Sequence, residues 1–452
     1  MGNLFTKIRE HDFFRNVATL ATGTTIAQAI PLLIAPVLTR LYSPDDFGLL
    51  ALFVSITALL SIVATGRYEV AIVLPVQVRR ARRLLRLSLL LTAFFSLMVL
   101  AVMVPAHDVL AALFTDERMG FWLYFIPLAV LLNGMFESLR YYGIRRKEYK
   151  PIAGALTLRS ATDGAAQLGA GFAGGQSFGL VTGYLASLFT GNIRLWRIFH
   201  NDMRKAGEQL NDTNGLKLVA GRYRNFPKFA LPAHFLNTAS LQLPVFVFSM
   251  FFSGAVAGWY AFAQKVLNAP MTIMGSAIGQ VFFQKAAEHK DDSEKLREVT
   301  WGLYKTLLWV GVLPLCVILV FGEGIFGWIF GAEWTVAGEY AQMLSVWVLF
   351  VFISSPLSNL FFVQEKQKQA LVLQAVIFGS RFIVLLLCVL LRFDAYLAVL
   401  LFGIVGAVIF FIFIFYLLSS VGIRKMAILG HTLLVLAAAI TPLLLIRIFL
   451  CR

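Results

Sequence analysis

The sequence predicts an all-α polytopic membrane protein: 12–13 transmembrane helices in two six-helix lobes around a central cavity. Three observations carry this reading: the composition, a series of long apolar runs, and the placement of basic residues. Of 452 residues, 59% are hydrophobic and only 14% charged, against about 45–50% and about 25% in a soluble domain. With a mean hydropathy of +0.78, this excludes a soluble enzyme, a disordered chain and a fibrous protein. A span needs about 20 mostly apolar residues, because a helix rises about 1.5 Å per residue and the hydrocarbon core is about 30 Å thick. Thirteen such runs fall at roughly 14–39, 47–75, 85–106, 119–143, 151–173, 177–199, 226–251, 255–283, 301–321, 338–363, 369–391, 394–418 and 427–449. They are continuous rather than alternating, which fits helices that satisfy their own backbone and not barrel strands.

Taken in order, the first six runs make an N-terminal lobe, 1–199. The first holds Pro31 and Pro36. The second opens behind Ser43-Pro-Asp-Asp-Phe-Gly48 and carries Arg67, about twenty residues in, and Glu69. The fourth holds Glu137 and Arg140, the fifth Arg159 and Asp163. A polar stretch, 200–225, reads as a cytoplasmic linker. The C-terminal lobe, 226–418, has Pro232 and Pro244 in its first run, Lys265 in the next, then Lys305 and Arg381. Residues 427–450 form an additional helix that either spans fully or dips in and returns.

Loop charge sets the orientation. With the N-terminus inside, 28 basic residues fall on the cytoplasmic side and 5 on the other, Arg40, Arg118, Arg392, Arg447 and Arg452. The net charge of +15 is therefore mostly topology and gives no reason to invoke nucleic acid. No outer loop exceeds about 17 residues, too short for a catalytic domain. Cys316, Cys388 and Cys451 form no paired framework. No signal peptide is expected, and the Gly2 start is discounted as a lipidation site. There is no Walker A sequence, zinc pattern or nucleophile elbow, so no cofactor and no metal is expected.

The halves repeat weakly. Ser43–Gly48 and Ser253–Gly258 open equivalent runs at offset 210. Tyr141-Tyr142 followed by Arg159 parallels Phe361-Phe362 followed by Arg381, at offsets 220 and 222. Matched proline-bearing helices, Pro31 and Pro36 against Pro232 and Pro244, either mark the gated substrate path of a duplicated transporter or simply bend helices to pack.

Ionisable residues inside spans are the site candidates, since a central charge costs about 2.5–3.5 kcal/mol. The basic ones are Arg67, Arg140, Arg159, Lys265, Lys305 and Arg381; the acidic ones are Glu69, Glu137 and Asp163. Arg140 and Lys305 lie near cytoplasmic ends, where long side chains snorkel, and Glu137 is placed to pair with Arg140. Arg159 and Asp163, at i,i+4, face one way and can pair. Arg67 and Glu69, at i,i+2, point apart on an unbroken helix, so each needs another partner; Asp163 is one option for Arg67. Pairing all three acids leaves three cations, which suits an anionic substrate, bound by Arg67, Arg159, Lys265 and Arg381. Glu69, Asp163 and Glu137 are left for ion coupling or charge balance. His431 reads as a packed or interfacial residue.

The stretches Ala21–Pro31, Pro36–Gly48 and Ala64-Thr-Gly-Arg-Tyr-Glu69 through Leu74-Pro75 resemble the start of bacterial polysaccharide-transport proteins. These are the oligosaccharide or O-antigen repeat-unit flippases, in the superfamily that also holds the lipid II flippase and multidrug extruders. Over 76–452 the resemblance is one of topology and charge placement. It implies a two-lobed bundle in the bacterial inner membrane that moves undecaprenyl-pyrophosphate-linked oligosaccharide to the outer leaflet. Cavity cations would meet the anionic head group. The implied partners are that lipid-linked oligosaccharide, membrane lipids and polysaccharide assembly proteins. Two alternatives remain open at this point: a membrane-embedded polysaccharide polymerase or acyltransferase, and a multidrug antiporter of the same fold.

Overall fold

The structure, a computed structural model, describes residues 2–207, 213–290, 292–364 and 366–450. Side chains are described for these except 2–21, 201–207, 213, 272–274, 276, 277, 280, 284, 362, 367, 368, 370, 371, 444, 445 and 447–450. Several expectations lie outside that set: the basic residues Lys7, Arg9, Arg15, Arg204, Lys205, Lys368, Arg447 and Arg452, and also Phe362 and Cys451.

Among the described residues every regular element is helical. In chain order they are α1 (Gly2–Leu41), α2 (Pro44–Thr65), α3 (Tyr68–Ala71), α4 (Val78–Met103), α5 (His107–Ala111), α6 (Arg118–Leu123), α7 (Ile126–Arg145), α8 (Tyr149–Phe172), α9 (Gln176–Gly207) and α10 (Thr213–Arg222). A π-helical turn, Phe226–Ala230, leads into α11 (Leu231–Phe251) and α12 (Gly254–Glu288). Then come α13 (Ser293–Phe330), a 3-10 turn (Ala332–Trp334), α14 (Thr335–Leu357), α15 (Leu360–Val363), α16 (Gln367–Leu390), α17 (Ala395–Ser420) and α18 (Lys425–Leu450). Each apolar run of the sequence is thus helical, and residues 425–450 form a helix long enough to cross.

Eight of the described helices are long and apolar enough to span a membrane by length and composition. The long helices outside that set, α7, α8, α9, α11 and α12, include those bearing Glu137, Arg159, Asp163 and Lys265. Lower apolarity at spanning length is what a helix lining a wet cavity requires. The chain is a multi-pass membrane protein.

The fold divides into two compact units, Met1–Gln242 and Leu243–Arg452. The division falls inside α11. Part of the 200–225 stretch packs with the first unit: Val219 of α10 is fully buried in a cluster with Tyr68, Leu84, Phe136, Tyr142, Leu195 and Phe199.

Lipid tails give helices no hydrophobic reason to associate, so small residues and interhelical hydrogen bonds do that work. In the first unit Gly23 of α1 lies so close to Ala153 of α8 that a Cβ there would collide with it. Ser160 donates to the Ala27 carbonyl at 2.7 Å, Tyr42 to that of Gln167 at 2.6 Å, and Asn192 to that of Leu132 at 2.9 Å. Ser88 of α4 meets Ser138 of α7 at 2.7 Å. In the second unit Gly338 of α14 abuts the backbone of Gly322 on α13, and Tyr304 of α13 meets Thr432 of α18 at 2.6 Å.

Pro31 and Pro36 lie within α1 and Pro244 within α11. Pro232 is the second residue of α11, directly after the π turn. The helix is continuous through this point, and a local π turn is a means by which a spanning helix accommodates a proline.

Candidate functional site

The run 47–75 is not one helix. It stops at Thr65, and Gly66 and Arg67 both adopt left-handed backbone with φ of 60°. Gly66 does so freely; Arg67 carries a Cβ and stores strain of about 1–3 kcal/mol. The break changes the side-chain geometry expected of an i,i+2 pair. Arg67 and Glu69 now face each other, Nη1 to Oε1 at 3.1 Å. Glu69 is 3% exposed; its second oxygen, Oε2, and the Arg67 Nε are buried without hydrogen-bond partners among the described residues. Tyr68 anchors the break by donating to the Ala220 carbonyl of α10 at 3.2 Å.

Glu137 pairs with Arg140, whose Nε lies 3.1 Å from its carboxylate, as the i,i+3 spacing predicts. Glu137 is within electrostatic reach of Glu69, and His234 of α11 senses both Arg67 and Glu137. The first unit therefore gathers two arginines, two carboxylates and a histidine around the break.

A polar cavity of about 270 Å³ opens among α1, α8 and α9. Arg159 and Asp163 line it together with Gln28, Ser160, Tyr184 and Ser187. The expected Arg159–Asp163 ion pair does not form. Arg159 Nη2 donates instead to Asn133 Oδ1 of α7 at 3.3 Å, and its guanidinium lies 5.2 Å from the Phe136 ring centre and 5.8 Å from that of Tyr184. Asn133 donates in turn to the Tyr184 hydroxyl at 3.0 Å. Asp163 accepts from Gln167, one turn on, at 2.8 Å. Arg159 is thus held by a neutral amide and two ring faces, with the Asp163 carboxylate on the lining of the same cavity.

In the second unit Arg381 of α16 is 5% exposed. Its guanidinium sits 5.2 Å from the Trp347 ring centre, 5.8 Å from Phe410 and 5.9 Å from Phe402. Lys265 of α12 is exposed, next to Gln264, which donates to the Tyr260 hydroxyl at 2.8 Å. Among the described residues no group of His, Cys, Asp and Glu could hold a metal ion.

Two groupings therefore emerge from the sequence candidates: Arg67 with Glu69 and Glu137, and Arg159 with Asp163. Asn133, Tyr184, Gln28, Gln167 and His234 escape a search for charged residues alone. The usable signal is the neutral amide within an apolar run, because such a group also needs a partner in hydrocarbon.

Outside the two ends of the chain, residues 37–339 match the family described as Polysaccharide biosynthesis protein. Lipopolysaccharide biosynthesis protein WzxC of Escherichia coli (strain K12) is 28% identical over 128 residues, which is 28% of this chain and 25% of that protein. Among solved structures, an inward-facing MATE family multidrug resistance transporter of the MOP superfamily has a TM-score of 0.60 at 15% identity, over 89% of this chain and 95% of its own. The lipid II flippase MurJ, in an inward closed conformation, has a TM-score of 0.58 at 12% identity, over 97% and 95%. A MOP superfamily transporter from Pyrococcus furiosus, whose reversed pocket polarity suggests a different function, has a TM-score of 0.58 at 13% identity, over 90% and 96%. These likenesses establish the fold: an all-α architecture built of two helical lobes.

Proposed function

The chain belongs to this polysaccharide biosynthesis family, and from that premise we propose that it flips lipid-linked oligosaccharide across the bacterial inner membrane by alternating access, the substrate being an undecaprenyl-pyrophosphate-linked glycan. The observation that carries the proposal is Arg159. It is a cation on a membrane-depth cavity whose hydrogen-bond partner is the neutral Asn133. Placing an unneutralised charge in a span is expensive, and an anionic head group is the ligand that would repay it.

The chemistry of the cargo agrees. Pyrophosphate and sugars cannot cross hydrocarbon unaided, whereas a polyprenyl tail can stay in lipid. The protein has only to shelter the head. The neutral groups around Arg159, the Ser160 and Ser187 hydroxyls and the Gln28 amide, are of the type that hydrogen-bonds sugar hydroxyls and phosphate oxygens. Arg67, Lys265 and Arg381 are proposed as further head-group cations. Glu69, Glu137 and Asp163 are proposed to balance charge or couple an ion. The lobes 1–199 and 226–418, joined by 200–225, are the proposed moving parts, with Pro31, Pro36, Pro232 and Pro244 as bend points. The N-terminus is assigned to the cytoplasm on loop charge.

The test is genetic. Deletion should abolish the surface glycan and leave its lipid-linked precursor in the inner leaflet, with drug sensitivity unchanged. Glycan retained in the deletion strain, or changed drug sensitivity in its place, overturns the reading. Elongation or acylation of lipid-linked glycan by the purified protein would instead establish an enzyme.

A further inference from the structure

A recess of about 420 Å³ lies where α13 and α18 both begin. Glu294, Arg297, Glu298 and Trp301 of α13 form one wall, and Arg424 and Ala427 the other. A second recess, of about 560 Å³, flanks Glu298 and Trp301 on the side of Lys295 and Lys305. The floor is rigid. Trp301 stacks on Tyr304, with centroids 5.4 Å apart and planes 22° apart, and His431 of α18 lies 5.5 Å from the Trp301 ring.

The charges in the first recess are mixed and uncommitted. Two arginines and two carboxylates line it, yet among the described residues none of the four side chains makes an ion pair or hydrogen bond. Glu294 and Arg297 stand at i,i+3, a spacing that permits pairing, and two residues earlier Asp292 does pair with Lys295 at 3.4 Å. Beyond the recess, toward the apolar part of the same two helices, both present apolar side chains outward: Leu313 at 57% exposure on α13 and Leu433 at 66% on α18. A charged recess at a membrane interface that continues into apolar stripes has the chemistry of a phospholipid seat.

We propose that this recess binds an aminophospholipid. Its phosphate lies between Arg297 and Arg424. Its ammonium is taken by Glu294 and Glu298, and its acyl chains run along α13 and α18. The mixed signs select the occupant. A purely anionic head would leave both carboxylates facing like charge, and a quaternary ammonium would lack the N–H donors the carboxylates accept. This proposal is independent of the transported cargo.

The experiment is lipid titration of the full-length protein in detergent, read by native mass spectrometry and thermal melting. The probes are phosphatidylethanolamine, phosphatidylglycerol, phosphatidylcholine and free phosphoethanolamine. Phosphatidylethanolamine should bind about tenfold tighter than either other lipid, the difference expected for one charge-assisted hydrogen bond. Free phosphoethanolamine should bind weakly, lacking chains. R297Q/R424Q should weaken all three lipids by losing phosphate binding while phosphatidylethanolamine stays ahead of phosphatidylcholine, and E294Q/E298Q should shift the preference to phosphatidylglycerol. All four positions are exposed, so the lipid-free melting point should stay put in both variants. Equal binding of the three lipids, tighter binding of free phosphoethanolamine, or a preference that survives E294Q/E298Q overturns the proposal. The wild-type lipid order is decisive even if a variant fails to fold.

Discussion

The weak sequence repeat sets Arg159 against Arg381, and the two live in different surroundings. Both guanidiniums lie against aromatic rings. Arg159 also hydrogen-bonds Asn133 and lines an open polar cavity with Asp163. Arg381 is 5% exposed and is packed against Trp347, Phe402 and Phe410. Equivalent position is therefore not equivalent availability. A guanidinium spread over ring faces gains cation–π energy but presents little of itself to a ligand, whereas one tethered by a neutral amide keeps its charge on offer. The first unit holds the stronger head-group candidate.

The largest effect is expected at that cavity. Arg159→Ala should lower glycan translocation about 100-fold, since it deletes a charge-assisted contact and leaves Asn133 without its donor. Arg159→Lys should be intermediate, because an ammonium cannot reproduce the fork. Surface glycan, normalised to protein level, is the readout, and wild-type glycan in Arg159→Ala would remove the basis of the comparison.

Next comes the break after α2. Arg67→Ala strands the buried Glu69 carboxylate and should cost about 3 kcal/mol in melting experiments. Arg67→Ala with Glu69→Ala should cost markedly less, because no unpaired charge stays behind. Additive losses would show that the 3.1 Å pair does not couple the two residues.

Arg381→Met sharpens the contrast directly. Methionine keeps the packing against the rings but removes the cation, and translocation should fall roughly tenfold. Intact translocation would make Arg381 a packing residue.

Lys305→Ala should be nearly silent, within about 0.5 kcal/mol, since its ammonium is exposed beside Trp301.

A small pH effect belongs to the segment between α4 and α6. His107 Nδ1 faces the Asp108 carboxylate and Nε2 the Gly120 carbonyl, each at 3.0 Å, and these bonds, Asp108 first, raise its pKa. A raised folded value means the stabilisation is complete below the ordinary histidine range and is lost as pH rises through the folded pKa. His107→Gln should therefore narrow its stability gap to wild type between pH 6 and pH 8. A gap that widens with pH would reverse the sign.

The helices and their order are legible in the sequence, because hydrocarbon forces long apolar runs into helices. The pairings are less so. Gly66 sits inside the run 47–75 as an apolar-compatible residue, and only its place after Thr65 hints at a helix stop. That stop decides whether Arg67 and Glu69 meet. Spacing along one helix offers Arg159 to Asp163, but tertiary packing supplied Asn133 to the arginine, and the carboxylate took Gln167, one turn further along its own helix. Neutral amides carry no cost large enough to stand out in a composition scan, yet here they decide where charge is left available.

Binding of polyprenyl pyrophosphate to purified wild-type protein, set beside uncharged polyprenol and the Arg159→Ala variant, tests the head-group role of the first-unit cavity. Wild type should prefer the pyrophosphate by about 100-fold, and the variant should lose most of that preference while binding polyprenol unchanged. Equal binding of charged and uncharged lipid by wild type, or a preference untouched by Arg159→Ala, would contradict it.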